Sequence, residues 1–184
     1  MRFIDIRHDR WHLVEGEDGP IPHPDPQAER LLTLEQWHAV RDTWPRGLPT
    51  GVVLPNTLDV DTLADDVRGP QARLSLVVLQ FPKWTDGRAY SQARVLRARH
   101  GFDGEVRATG EVLVDMLPLL QRTGFDAVLL RHDQSVEAAV RALGFFPGHY
   151  QGDVRESRPA FARDLLGETS AARSGSELFA GQGI

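Results

Sequence analysis

The chain of 184 residues contains no cysteine. Disulfides, thiol catalysis, cysteinyl zinc sites and ordinary iron–sulfur clusters are therefore excluded. No run approaches the roughly 20 apolar residues that a membrane-spanning helix needs, and the charged N-terminal stretch has no apolar signal core. We therefore expect a soluble cytoplasmic protein that does not bind membranes.

Lysine is almost absent: Lys83 is the only lysine, and the other 20 of the 21 cationic side chains are arginines. The bias suggests a GC-rich coding background, yet a lysine can lose its proton and act as a base or nucleophile, whereas an arginine cannot. The formal net charge of −5 argues against nonspecific nucleic-acid binding by the whole surface. Lys83 is therefore of interest both as a charge and as a chemical group.

The nucleotide and nucleophile fingerprints are also missing. The chain has no G-x-G-x-x-G, no phosphate-loop lysine and no G-x-S-x-G elbow. His8 and His12 have a metal-pair spacing only if they lie on a helix, and here they flank a predicted turn. We therefore predict no metal and no cofactor.

Alternating strands and helices define the predicted fold. Residues 1–16 are typical of a β-hairpin, and the proline-rich residues 17–29 of a loop. Thr33 and Gln36 form a capping-box pattern at the start of a helix. Further strands are predicted at 51–55, 73–82, 105–109, 126–131 and, as a last edge strand, 145–151; further helices are predicted at 59–67, 86–100, 110–124 and 134–144.

This order predicts an α/β domain with a mainly parallel sheet of about five strands and helices on both faces. A partial β/α barrel fits the same pattern, and the sequence does not separate the two. The single domain is predicted to cover residues 1–166. The small, polar and glycine-rich residues 167–184 are typical of a flexible tail.

Cations concentrate directly after the most apolar predicted strand. Residues 82–107 hold six cations and three carboxylates in an otherwise acidic chain. Ligands of parallel α/β sheets bind beyond the carboxyl ends of the strands, and arginine forks match oxyanions bidentately. The sequence therefore predicts an anion- or partner-binding site where this strand meets the next helix.

Two groups of residues are candidates for this site. As catalytic groups we predict Lys83, Asp86 and Tyr90. As anion- or partner-binding groups we predict Arg88, Arg94, Arg97, Arg107 and Arg131. At 3.6 residues per turn, Asp86, Tyr90, Arg94 and Arg97 share one helix stripe, and Ala89, Ala93, Leu96 and His100 form the opposite stripe toward the core. If each arginine instead pairs with a nearby carboxylate, the same cluster is an ordinary solvated helix.

Residues 82–127, and "DGRAYSQAR" and "RATGEVL" in particular, resemble a bacterial family of unknown function encoded beside sulfite reductase genes. Its members are often labelled as oxidoreductases of sulfite reduction. The positions that match include Lys83, Asp86, Gly87, Arg88, Tyr90, Ser91, Arg94, Arg107, Gly110 and Asp115, whereas Met116 stands where the family has glutamine. The resemblance implies a role in sulfate assimilation without implying a reaction.

Three functional hypotheses follow. The first is an accessory protein of assimilatory sulfate or sulfite reduction that binds a sulfite- or sulfate-like anion, or docks on sulfite reductase or phosphoadenylyl-sulfate reductase. The second is a small-molecule α/β enzyme with Lys83 as base or nucleophile. The third is a non-catalytic homodimeric scaffold. The enzyme requires Lys83, Asp86 and Tyr90 in one concave pocket, docking requires arginines on an open surface, and the homodimer requires apolar neighbours around Tyr90.

Overall fold

In the computed structural model, residues 1–17, 19–145, 150–154, 156–159 and 161–162 are described. The predicted tail 167–184 lies outside these residues, as does most of the predicted edge strand 145–151. The strands are β1 (Arg2–Phe3), β2 (His12–Leu13), β3 (Glu15–Gly16), β4 (Gly19–Pro20), β5 (Arg30–Thr33), β6 (Thr50–Leu54), β7 (Leu76–Phe81), β8 (Glu105–Gly110) and β9 (Ala127–Val128). The helices are α1 (Leu34–Val40), α2 (Ala64–Val67), α3 (Arg88–Ala98), α4 (Leu117–Thr123) and α5 (Val136–Gly144).

Seven of the strands form one parallel sheet in the order β1-β9-β8-β7-β6-β5-β2, curled into a half-barrel. From β2 to β9 each new strand is added on the same side of the previous one. Right-handed crossovers that always advance in one direction place every helix on the same face. The prediction of a parallel α/β sheet is confirmed, with more strands than expected and with the curled form that the partial barrel anticipated.

The helices cover one face of the sheet only, so the prediction of helices on both faces is wrong. All five contribute to a single apolar cluster with the outward side chains Val77, Leu79 and Phe81 of β7. On the other face, Leu76 and Val78 of β7 pack against Trp11 instead. This inner face is therefore covered by chain from the N-terminus rather than by a helix.

The predicted N-terminal hairpin is confirmed only as a small antiparallel hairpin near the N-terminus, and it does not join the two strands that the sequence suggested. β1 pairs with β9 and β2 pairs with β5, both in parallel, so the two strands lie at opposite edges of the sheet. Residues 4–11, which we call the crossing segment, connect them along the inner face. The only antiparallel pair among the described residues is the small hairpin of β3 and β4. The sequence indicated extended chain correctly for β1 and β2 but could not identify their partners, and Ile6–His8 between them form a 3-10 turn.

Local signals set most element boundaries. The capping box is present at α1, where Gln36 N donates to Thr33 Oγ1 (3.2 Å) and Thr33 N donates to Gln36 Oε1 (2.8 Å). Pro118 lies in the first turn of α4, where proline is well tolerated, so this helix starts later than the predicted residue 110. Among the described residues, none of the helices has the length and apolar character needed to cross a membrane.

Candidate functional site

The candidate site lies at the carboxyl edge of the sheet, where β6, β7, β8 and β9 end. The register pairs Leu54 with Leu79, Phe81 with Gly110 and Ala108 with Val128, so these strand ends are neighbours. A backbone hydrogen bond from Glu111 N to Phe81 O (2.8 Å) extends the contact of β7 and β8 beyond the strands. Residues after each strand therefore meet along one edge.

Gly110 allows this close approach. Its φ is +94°, and a Cβ placed there would lie 2.4 Å from Phe81 O. Only glycine adopts this conformation readily and leaves space for that carbonyl. The glycine of the "RATGEVL" segment is thus needed to join the ends of β7 and β8.

The loop from β7 into α3 is exposed and ordered by a short-range ion pair. Asp86 N donates to Lys83 O (3.0 Å). The Asp86 carboxylate accepts hydrogen bonds from Arg88 N (3.2 Å), Nε (3.0 Å) and Nη2 (2.6 Å). These hydrogen bonds from Arg88 hold the pKa of Asp86 well below its ordinary value. Lys83, by contrast, is exposed, and its side chain forms no hydrogen bond or ion pair with the described residues.

Asn56 and Gln92 are two buried polar residues next to this loop and to the chain after β6. Gln92 Nε2, on α3, donates to the carbonyls of Pro55 (3.0 Å) and Leu58 (2.7 Å), which fixes the chain after β6. The Asn56 amide is buried beside Asp86 and also lowers the pKa of that carboxyl, although less than Arg88 does. Its Nδ2 has no hydrogen bond of normal geometry within the described chain.

Tyr90 packs against the apolar core. Its ring packs edge-on against Phe81 (centroids 5.1 Å apart) and Phe125 (6.5 Å). Burial raises the pKa of the Tyr90 hydroxyl. The three predicted catalytic residues therefore do not converge: Lys83 is exposed, Asp86 is engaged by Arg88, and Tyr90 is half-buried against the core.

The exposed stripe of α3 differs from the predicted one. Ala89, Ala93, Leu96 and His100 are buried, as predicted. The exposed residues are Arg88, Ser91, Arg94 and Ala98, spaced three to four apart. Tyr90 and Arg97 instead face α4 and the loop after it. Arg94 thus shares its stripe with Arg88 rather than with Tyr90.

Arg97 and Arg107 lie outside the carboxyl edge, so the expectation that all the cations meet there is wrong. Arg97, near the C-terminus of α3, donates to the carbonyls of Gly124 (3.0 Å) and Gly104 (2.8 Å) and pairs with Asp126. It lies at the amino ends of the strands. The reason is that α3 runs antiparallel to β7, so its last turn is at the opposite end of the sheet.

Arg107 is buried on the inner face of β8. It pairs with Asp9 of the crossing segment and, at 2.9 Å, with Glu105. Two carboxylates therefore neutralise this guanidinium, and only 3% of the residue is exposed. A side chain so enclosed holds the fold together and offers no donor to a ligand.

Arg131 does lie at the carboxyl edge, but its charge is compensated. Its guanidinium binds Glu111 Oε2 (2.7 Å) and both carboxylate oxygens of Asp133 (2.6 and 2.7 Å). Hydrogen bonds with Asp133 and then Glu111 raise the pKa of Arg131 above its ordinary value. Glu111 is distant from Arg131 in sequence and was not predicted as its partner, whereas Asp133 lies only two positions after Arg131 and could be predicted from that spacing.

Three other ion pairs have the reverse order, with an acidic residue two positions before an arginine. In each case the acid accepts the backbone N–H of the arginine together with its guanidinium. The pairs are Asp5–Arg7, Asp86–Arg88 and Glu156–Arg158. Such arginines are partly neutralised by local geometry alone, so a simple count of cations overstates the local field.

Residues 51–161 match the model of a family described as "Bacterial protein of unknown function", DUF934. The chain belongs to this family. The match includes β6 to β9 and the whole carboxyl edge, whereas the crossing segment and β5 precede it. No curated protein matches the chain. In the described part of the chain, no group of three or more acidic or histidine side chains is arranged to hold a metal ion.

Proposed function

We propose that this DUF934 protein is an accessory protein of assimilatory sulfate reduction that docks on an acidic face of sulfite reductase. The docking surface consists of Lys83, Trp84, Arg88 and Arg94. It lies on the exposed loop after β7 and on the exposed stripe of α3.

Trp84 carries the proposal. This residue is 58% exposed and lies in the loop after β7, next to Lys83 in sequence and four residues before the exposed Arg88. Tryptophan and arginine are among the residues most enriched at interface hot spots. A large aromatic ring flanked by cations suits a partner with an apolar recess rimmed by carboxylates.

The charge balance supports binding to an acidic partner. The loop and stripe hold three cations with Asp86 as the nearby carboxylate, in a chain of net charge −5. Electrostatic complementarity of this kind steers association and is weakened by salt. The choice of sulfite reductase rests on the resemblance of residues 82–127 to the family encoded beside its gene.

The enzyme alternative is less well supported, because Asp86 is engaged by Arg88 and Tyr90 packs against Phe81. The homodimer alternative is also less well supported, because Tyr90 and Val95 are half-buried against this chain's own core. An oxyanion site is also less well supported. Asp86 already engages Arg88, and Glu111 and Asp133 already engage Arg131. Titration of the purified protein with sulfite tests that alternative directly.

The test is binding of the purified full chain to purified sulfite reductase from the same genome at low and moderate salt. We expect Trp84→Ala to weaken binding by about 30-fold, corresponding to a hot-spot loss of about 2 kcal/mol. Arg94→Ala should weaken it less, mainly through the association rate. Arg46→Ala is the matched control, because Arg46 is an exposed arginine at the opposite end of the sheet.

Lys83→Arg separates docking from catalysis. Docking needs only the positive charge, so this variant should bind and support sulfite-dependent growth normally, whereas a lysine base or nucleophile would be lost. Absence of any salt-sensitive binding, or equal binding by Trp84→Ala and wild type, would contradict the docking proposal.

A further inference from the structure

A second cationic site lies at the opposite end of the sheet, where the chain enters β6 and β7. Residues 44–47, after α1, and residues 70–73, before β7, face each other across a cavity of about 620 Å³. That volume falls within the range of small-molecule sites. The cavity is independent of the docking surface and of its proposed partner.

The cavity has an apolar wall and a cationic mouth. Trp44, Pro45 and Pro70 supply flat or rigid apolar surface, while Arg46 and Arg73 supply charge. None of the residues that line it is acidic. The carboxylates nearby, Asp42, Asp65 and Asp66, line an adjoining cavity of about 310 Å³, which Arg46 and Arg73 also line.

Arg73 is held rigidly but lacks a counter-ion. Its Nη2 donates to the carbonyls of Arg41 and Trp44, and its guanidinium lies over the Trp37 ring at 5.2 Å. These partners are neutral, and no carboxylate of the described residues forms an ion pair with Arg73. The N–H groups on Nε and Nη1 are therefore left as donors for a ligand. An anion that forms an ion pair with a half-buried guanidinium stabilises it more than it would stabilise a fully exposed one.

The nearest candidate counter-ion is already engaged. The carboxylate of Asp66 accepts a hydrogen bond from Trp37 Nε1 (2.9 Å) and lies 3.5 Å from Arg41 Nη1. Its backbone carbonyl, rather than its side chain, accepts Arg73 N at 2.7 Å. Arg46 is exposed and makes no ion pair with a described residue, so both arginines keep charge available to the cavity.

We propose that this cavity binds a small organic anion, with its carboxylate or phosphate group on Arg46 and Arg73 and a flat apolar body against Trp44, Pro45 and Pro70. The preformed position of Arg73 lowers the conformational cost of binding. The acid-free lining favours an anion over a neutral or cationic ligand of the same size.

The indole of Trp44 reports on the cavity. Its Nε1 donates to Thr50 Oγ1 (2.8 Å), so it gives a distinct indole N–H signal in the ¹⁵N-labelled full chain, assigned by its loss in Trp44→Phe. We would titrate the protein with benzoate, phenyl phosphate and inorganic sulfate. Benzoate or phenyl phosphate should shift this signal saturably, and the stronger of the two identifies the preferred acidic group. Sulfate should bind at least about tenfold more weakly, because it lacks the apolar body.

Arg46→Ala should raise the dissociation constant of the better probe at least about tenfold, as expected when a hydrogen bond to a charged group is lost. Because Arg46 is exposed and unpaired, this variant should fold normally. Arg94→Ala, on the docking surface, should leave the affinity unchanged. No saturable shift by about 10 mM for either organic probe, or equal affinity in Arg46→Ala, would overturn the proposal. Equal affinity for sulfate would overturn the assignment of an apolar body.

Discussion

At the scale of single residues, arginines in this protein differ by where their partners lie in the chain. Arg88 is paired with Asp86, two residues away, and both remain in contact with solvent. Arg97 and Arg107 pair with Asp126 and Asp9, which are distant in sequence, and are enclosed. The first kind organises a loop and keeps its charge at the surface, whereas the second kind joins elements.

The Asp86–Arg88 pair gives a pH prediction. In Arg88→Ala the pKa of Asp86 should rise toward its ordinary value of 3.8, because the hydrogen bonds that lower it are gone. Since the folded-state pKa of Asp86 is depressed, the pair contributes stability above pH 3.8, and that contribution is lost as the pH falls through the folded-state pKa. The difference in unfolding free energy between wild type and variant should therefore shrink below pH 3.8.

Carbon-13 NMR of the Asp86 carboxyl group measures this pKa directly. Arg7→Ala is the matched control, because Asp5 and Arg7 share the same geometry elsewhere in the chain. It should raise the pKa of Asp5 and leave that of Asp86 unchanged. An Asp86 pKa that is the same in wild type and Arg88→Ala would contradict the assigned cause.

At the scale of elements, local sequence signals were sufficient to predict where helices and strands begin or end. They were not sufficient to predict which strands pair. The Thr33–Gln36 capping box, Pro118 and the continuous apolar strand β7 could be read from the sequence because each depends on neighbouring residues. The exposed stripe of α3 was misassigned because the helix begins at Arg88 and Phe125 draws Tyr90 inward. The parallel pairing of β1 with β9 depends on contacts more than 100 residues apart, which alternating polarity does not encode.

The junction of β7 and β8 gives the second prediction. Gly110→Ala should cost about 3 kcal/mol of unfolding free energy, because the added Cβ meets Phe81 O and the positive φ is unfavourable. Gly101→Ala is the control, since Gly101 also has a positive φ (+63°) but open space around its Cβ. It should cost only about 1 kcal/mol. Urea unfolding measures both, and equal costs would show that the contact with Phe81 contributes nothing.

At the scale of the whole molecule, the crossing segment compensates for the absence of helices on the inner face. It runs from one edge of the half-barrel to the other, and Trp11 packs there on Leu76 and Val78. Asp9 neutralises Arg107, which would otherwise be a buried charge with Glu105 as its remaining carboxylate. The segment therefore provides both the apolar cover and the charge that the curled sheet needs.

This role predicts that replacing two aspartates of the crossing segment by alanine lowers the unfolding free energy by unequal amounts. Asp9→Ala should lower the unfolding free energy by about 3 kcal/mol, because it leaves a buried guanidinium only partly paired. Asp5→Ala should lower the unfolding free energy clearly less than Asp9→Ala does, because the ion pair of Asp5 with Arg7 is exposed and local. Urea unfolding gives both values, and hydrogen exchange locates the change.

In Asp9→Ala the amides of β1 and β2, at the two sheet edges, should exchange faster, whereas those of α3 on the other face should keep their protection. Two strands at opposite edges can respond together to one side chain only if the segment between them is what holds both in place. Similar costs for the two aspartates, or faster exchange spread evenly over the chain, would mean that the half-barrel is stable without this cover.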